Sequence, residues 1–161
     1  MPLTLLREFL DQHDIHYLVI SHPVAYTAQG TAALTHISGK EFAKTVMILV
    51  DGRLAMAVLP ASARLDLHRL KRSLGASTVE LASEREFGQQ FPDCETGAMP
   101  PFGNLYGMAV FADEMLTHDK EIAFNACSHH ELVRMRYTDF RELVHPAIMP
   151  LAASRAAAFP A

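Results

Sequence analysis

The apolar positions of this chain fall into short blocks whose period changes several times. Leu3, Leu6 and Leu10, with Leu5 and Phe9 beside them, recur at helical spacing and predict an opening helix that ends near His13–Asp14. Ile15 to Ile20 reads as a short strand closed by Ser21-His22-Pro23. Thr27 is placed to cap a second helix reaching about Ile37, which Gly30 weakens and Ser38-Gly39 stops. Val46 to Val50 and Leu54 to Leu59 then flank Asp51-Gly52. An Asp-Gly pair between apolar runs predicts a hairpin, because both turn residues must tolerate positive φ. The two runs are continuous rather than alternating, so these strands are expected to be central and covered on both faces.

Pro60 ends the second strand, and Ser62 is expected to cap a helix to Leu74 that Gly75 terminates. Thr78 to Leu81 reads as a strand. Ser83 caps a further helix, with Glu86 three positions on as a capping box. Strands are expected over Tyr106–Phe111 and Glu121–Cys127, separated by the polar loop Asp113–Lys120. Val133 to Tyr137 alternates as a half-exposed strand. Thr138 is expected to cap a last helix that stops at His145-Pro146. The pattern predicts an α+β domain over residues 1–146, with a mixed, partly rolled β-sheet surrounded by helices. Residues 147–161 read as an Ala/Pro-rich tail, frayed from Pro150 onward.

Composition narrows the function classes. The chain has 161 residues, half of them hydrophobic, and a net charge of −4. A single core is the natural organisation at that length. A surface that grips long nucleic acid by its phosphates should be basic, so DNA or extended duplex binding is not expected. Contact with one RNA end needs only a local patch, and Arg64, His68, Lys71 and Arg72 supply one; the alternative is a solvated helix face. The start is not signal-like and no apolar run is long enough to span a bilayer, so a cytoplasmic location with reduced Cys94 and Cys127 is the expectation.

The stretch with the most local constraint is Cys94 to Gly103. Gly97 and Gly103 admit backbone angles closed to other residues, while Pro100 and Pro101 fix φ and remove two amide donors. A stiff turn results, with the amides around Gly97 and Ala98 expected to remain free for a ligand. Lys44, entering a buried strand, either snorkels to the surface or serves a site. Among nine histidines, His129-His130-Glu131 is the densest cluster. It has no HExxH spacing and no second ligand pair, so neither a metal nor another cofactor is expected. A Cys-His pair built from Cys94 or Cys127 with His129 stays open, since such partners meet only in three dimensions.

Three blocks together carry a resemblance. They are Gly39 to Val50 around Lys44, the Gly97-Ala-Met-Pro-Pro-Phe-Gly103 loop, and Phe124 to His130 followed by Leu132 to Phe140. In this order they resemble the YbaK and prolyl-tRNA-synthetase-associated domain family of aminoacyl-tRNA deacylases. The resemblance implies a domain that hydrolyses the ester of mischarged tRNA, with Lys44 near the terminal adenosine and the Gly97 and Ala98 amides on the aminoacyl carbonyl. It further implies Thr45, Met99, Pro100, Phe102, Ser128 and His129 as substrate contacts. Cys127 departs from the family pattern, which usually has glycine there.

The implied activity is trans-editing of a small amino acid such as alanine, cysteine or serine on a proline tRNA or a related one. The partners are the acceptor end and a synthetase. Two rivals remain: a catalytically silent binding module of the same fold, and a cysteine-dependent ester hydrolase. An activated ester needs a placed water and a stabilised oxyanion more than a strong nucleophile, which suits a loop of free amides.

Overall fold

The Asp51-Gly52 pair closes the hairpin its sequence predicts, with φ of 49° and 83° at the two turn residues. The computed structural model describes residues 4–153. In it β2 (Ala43–Val50) and β3 (Arg53–Pro60) pair antiparallel from Ala43 opposite Pro60 to Val50 opposite Arg53. Lys44 enters β2 as its second residue. Pairing extends outward on both sides to give the order β4-β2-β3-β5-β8, with β4 at Val79–Leu81, β5 at Ala109–Asp113 and β8 at Ala147–Met149. The contacts of β3 with β5 and of β5 with β8 are parallel.

A second sheet, antiparallel and three-stranded, has the order β1 (Tyr17–Ser21), β7 (Glu131–Arg136), β6 (Glu121–Asn125). The α+β class stands, and the strands are divided between these two sheets. They meet where Phe42 bridges Ala123 in parallel sense and the Ala123 amide donates to the Glu41 carbonyl.

The central hairpin is covered on both faces, as its continuous apolar runs require. Met47, Met56 and Val58 join the main core, where Phe102 packs against Phe9, Phe124 and Phe140 at ring-centroid distances of 6.1, 5.5 and 5.7 Å. Burying one such ring contributes roughly 1.5–3 kcal/mol, so this aromatic group is a principal source of stability. Ile48, Ala55 and Ala57 face the other way, against Leu70 and Leu151.

The helices are α1 (Thr4–Gln12), α2 (Ala28–Thr35), α3 (Leu67–Leu74), α4 (Glu84–Phe87) and α5 (Tyr137–Val144). The Thr27 cap and the Ser83–Glu86 capping box form as expected. α3 starts later than predicted. Asp66 rather than Ser62 caps it, accepting from the Arg69 amide, because Leu65 is held extended by a bridge to Ala152. No side chain caps α5.

The expected strand from Tyr106 shortens to β5, since Gly103–Tyr106 winds into a 3-10 turn and Gly107 reverses the chain at φ 69°. The polar loop after β5 is also a 3-10 turn, Glu114–His118. The domain does not end at residue 146. β8 adds a strand to the sheet, and Leu151 is fully buried. The buried Asp113 carboxylate accepts from the amides of Met115, Leu151 and Ala152, fastening that segment. Of the predicted frayed tail, residues 154–161 lie outside the described residues.

Candidate active site

The seam between the sheets positions the site. From the Phe42–Ala123 bridge both strands run on in the same direction, and two residues later they place Lys44 on β2 and Asn125 on β6. Side chains two apart on a strand share a face. Lys44 and Asn125 accordingly line one small cavity, of about 170 Å³, with Ala28, Ala43, Thr45, Gly97 and Met99. A larger cavity, about 610 Å³, lies at the far end of the β2–β3 hairpin between Arg53, Leu54, Tyr106 and Met108. None of the candidate site residues named from the sequence lines it, so the small cavity is the candidate site.

Lys44 is half-buried, and its ammonium donates to the Ala63 carbonyl. Burial pushes its pKa below the ordinary lysine value. The cation is therefore fixed by one hydrogen bond and only partly hydrated, ready to give its other protons to an anionic or carbonyl oxygen.

The Gly97 loop behaves as a rigid turn, with Gly97 at φ 86°. Its free amides are not the pair expected. The Ala98 amide donates to the Glu95 carbonyl, and the Ala98 carbonyl accepts from the Cys127 amide, so residue 98 is consumed in holding the turn. Gly97 and Met99, on either side, carry the amides that have no partner among the described residues, and both line the cavity.

The other expected contacts separate. Thr45 and Met99 are in the wall. Phe102 is wholly buried in the aromatic core, its ring directed by packing rather than by the loop. Pro100 is buried and lies outside the cavity wall. Ser128 is buried in the turn after β6, donating to Glu131 and accepting from the His130 amide, both at 3.4 Å. His129 reaches the loop from behind. Its Nε2 donates to the Thr96 carbonyl at 2.8 Å, and Tyr26 lies on its ring at 5.0 Å. That bond fixes a proton on Nε2, and Nδ1 is buried without a partner among the described residues.

Asn125, Ala28 and Ala43 are wall residues that sequence reasoning did not assign to the site. A polar residue closing the apolar run Ile122–Phe124 was the available signal for Asn125.

Cys94 and Cys127 are joined in a disulfide, with Cα atoms 4.1 Å apart, where reduced thiols were expected. The loop and the turn after β6 bring them together: the Glu95 amide donates to the Cys127 carbonyl. Neither sulfur is a free nucleophile and neither lines the cavity, which removes the basis of a cysteine-dependent hydrolase. Cys127 has φ 67°, so the position usually held by glycine is a left-handed one.

Arg64, His68, Lys71 and Arg72 are all exposed and make no ion pair among the described residues. Arg64 directly follows Ala63, whose carbonyl holds Lys44, so the basic stretch starts beside the site.

A small α+β domain with a narrow pocket between a half-buried lysine and a glycine-proline loop is the class the fold and site define. Residues 22–143 match the aminoacyl-tRNA editing domain family, and the chain belongs to that family. It is 26% identical over 109 residues to a proline–tRNA ligase of Bacillus mycoides (strain KBAB4), covering 68% of this chain and 18% of the ligase. With a proline–tRNA ligase of Bacillus cereus (strain G9842) it shares 25% over 118 residues, covering 73% of this chain and 20% of the ligase. It thus spans about a fifth of the length of these relatives.

Among solved structures, one described as a candidate trans-editing enzyme for prolyl tRNA synthetase superposes with a TM-score of 0.83 at 18% identity, covering 95% of this chain and 98% of that one. A scaffold protein used for computational epitope grafting gives 0.83 at 17%, covering 95% and 98%. These likenesses show the fold. Among the described residues no helix is long and apolar enough to cross a membrane.

Proposed function

We propose that this chain is a trans-editing hydrolase that cleaves the ester of a small amino acid from a mischarged proline tRNA or a related tRNA. The observation that carries the reading is that Lys44 lines one narrow cavity together with Gly97 and Met99, whose amides have no partner among the described residues. In this reading the two amides receive the carbonyl oxygen and stabilise it as charge develops; losing one such donor typically costs about 2.7–4 kcal/mol of transition-state stabilisation. Lys44 holds the ester or an adjacent phosphate oxygen. The neighbouring ribose hydroxyl orients the attacking water, so no protein nucleophile is needed.

Size supports the selectivity. A cavity of about 170 Å³ is well below the roughly 300 Å³ at which sites for whole small molecules begin, so it suits an aminoacyl group with the nucleoside outside. Met99 and Ala28 form walls against which a larger side chain would press. Discrimination by such contact is typically about 10–200-fold per methylene. The acceptor stem then runs over Arg64, His68, Lys71 and Arg72, and a synthetase supplies or receives the tRNA.

The test is release of amino acid from proline tRNA charged with alanine, cysteine, serine or proline, comparing wild type with Lys44→Ala. Turnover of one mischarged species that falls at least about 100-fold in the variant is expected. Turnover of none, or turnover indifferent to Lys44, would replace this reading with that of a silent binding module.

A further inference from the structure

Tyr26 is the one phenylalanine or tyrosine among the described residues that stands exposed, at 78%. Helix packing gives it no task. It precedes Thr27, the cap of α2, where an apolar residue often staples the helix by packing on the fourth helical residue. That residue is the buried Thr31, and Tyr26 is too open to solvent to be packed on it.

The backbone beneath the ring is nevertheless fixed. On one side the Ala25 amide donates to the His129 carbonyl at 3.0 Å. On the other the Gly30 amide donates to the Thr27 hydroxyl at 2.9 Å. The ring itself meets the His129 imidazole with centroids 5.0 Å apart and a tilt of 57°, which leaves most of its surface free. Both supports lead to the cavity. A Cβ on Gly97 would lie 3.6 Å from His129 Cε1, and Ala28, two residues after Tyr26, lines the cavity with Gly97. An exposed aromatic ring is thus held beside the cavity wall.

The cavity suits an aminoacyl group and leaves outside the nucleoside that carries it. One ester linkage joins the two, so the base of that nucleoside must lie close to the cavity mouth. An unpaired base at a strand end offers two apolar faces, which proteins cover with aromatic side chains. A ring fixed at its root and open over its surface matches such a face.

Resting on the deacylase reading above, we propose that Tyr26 binds the terminal nucleoside by stacking its ring on the adenine. The strand end is then held on one side of the scissile bond by Tyr26. On the other side Lys44 and the Gly97 and Met99 amides hold the ester. Tyr26 contributes to affinity for the tRNA end and leaves the choice of amino acid to the cavity.

The experiment uses proline tRNA acylated with alanine and ending either in adenosine or in an abasic riboside. Wild type is set against Tyr26→Ala and Tyr26→Phe. Stacking of one base on an aromatic ring is worth about 5- to 100-fold by alanine substitution, and that loss in kcat/KM is expected for Tyr26→Ala on the adenosine-ended substrate. The loss should fall mainly on KM, and the ring of Tyr26→Phe should restore it. On the abasic substrate wild type and Tyr26→Ala should agree within about 2-fold, since the double change isolates the pair. Equal losses on both substrates would overturn the proposal and assign Tyr26 to support of the loop through His129. No loss on the adenosine-ended substrate would overturn it too.

A second measurement needs no turnover. Alanine is joined through an amide, which resists hydrolysis, to a tRNA end carrying fluorescent 2-aminopurine in place of adenine. Wild type and Tyr26→Phe should quench the fluorescence by stacking, and Tyr26→Ala should not. Quenching that survives in Tyr26→Ala, or is missing in wild type, would overturn the role of Tyr26. Wild type that quenches through Tyr26 yet releases no alanine from either ester would overturn the deacylase reading alone.

Discussion

His129 Nε2 donates to the carbonyl of Thr96 at 2.8 Å, so an imidazole from the turn after β6 holds the residue that precedes Gly97. The His129 amide adds a second tie, to the Glu95 carboxylate at 3.2 Å, and Tyr26 covers the ring. His129 thus acts on the site through the loop and does not line the cavity itself. His129→Ala should lower kcat/KM for deacylation by about 10- to 100-fold through misplacement of the Gly97 amide. It should lower stability by about 1–3 kcal/mol, read from urea unfolding, because the Thr96 carbonyl loses its partner. A variant with full activity would show that the loop keeps its shape unaided.

Gly97 and Gly103 bound the same loop for different reasons, and alanine separates them. At Gly97 an added Cβ meets only the His129 ring, at an ordinary 3.6 Å, but φ is 86°. Gly97→Ala should therefore cost about 1 kcal/mol through the backbone alone. At Gly103 the added Cβ would lie 2.7 Å from both the Met108 carbonyl oxygen and Val110 Cγ2. Gly103→Ala must push the loop off β5 and should cost about 2 kcal/mol or more, within the range of overpacked sites. Urea unfolding of the two variants side by side tests the order.

The parts of the site legible in sequence were those fixed by local chemistry. The turn at Asp51-Gly52, the stiff loop at Gly97 and the lysine entering an apolar strand follow from backbone angles and burial that neighbours in sequence impose. Partners distant in sequence were not legible. Whether Ala98 or Met99 offers the free amide depends on the Glu95 carbonyl and on the Cys127 amide from a different strand end. Phe102 is a substrate contact by the resemblance of its loop, yet the rings of Phe9, Phe124 and Phe140 decide where it points. β8 is three residues long and pairs only because Asp113 draws the chain after it back to the sheet. The disulfide depends on the same meeting of loop and turn.

Cys127 occupies a left-handed backbone position, which fixes an unusual order of side-chain preference. In most settings glycine is less stabilising than alanine. Here, with reductant present to remove the crosslink from the comparison, Cys127→Gly should be more stable than Cys127→Ala by about 1 kcal/mol, because glycine adopts this φ without strain. Urea titration of the two variants gives the sign directly. An alanine variant equal to or above the glycine one would mean that the turn after β6 relaxes away from positive φ.

Asp119 supplies a stability contribution whose pH dependence can be signed. Burial, reinforced by the negative charge of Glu41, raises its pKa from 3.8 to about 6, with His118 and Lys40 opposing. Its Oδ2 is buried without a partner among the described residues. The folded state therefore binds the proton more tightly than the unfolded chain. Below pH 3.8 both states are protonated and the group is neutral in its effect; as pH rises through 3.8 towards 6 the folded state loses relative stability, and above about 6 the full penalty stands. Asp119→Asn removes the ionisation. Because the residue is partly exposed and its charge partly screened, the gain should be about 1 kcal/mol at pH 8, less than the shift alone would convert to. The gain should shrink towards zero at pH 4. Measuring the difference between wild type and variant at the two pH values isolates this group from the other carboxylates, and a gain that is the same at both would assign the effect to packing instead of charge.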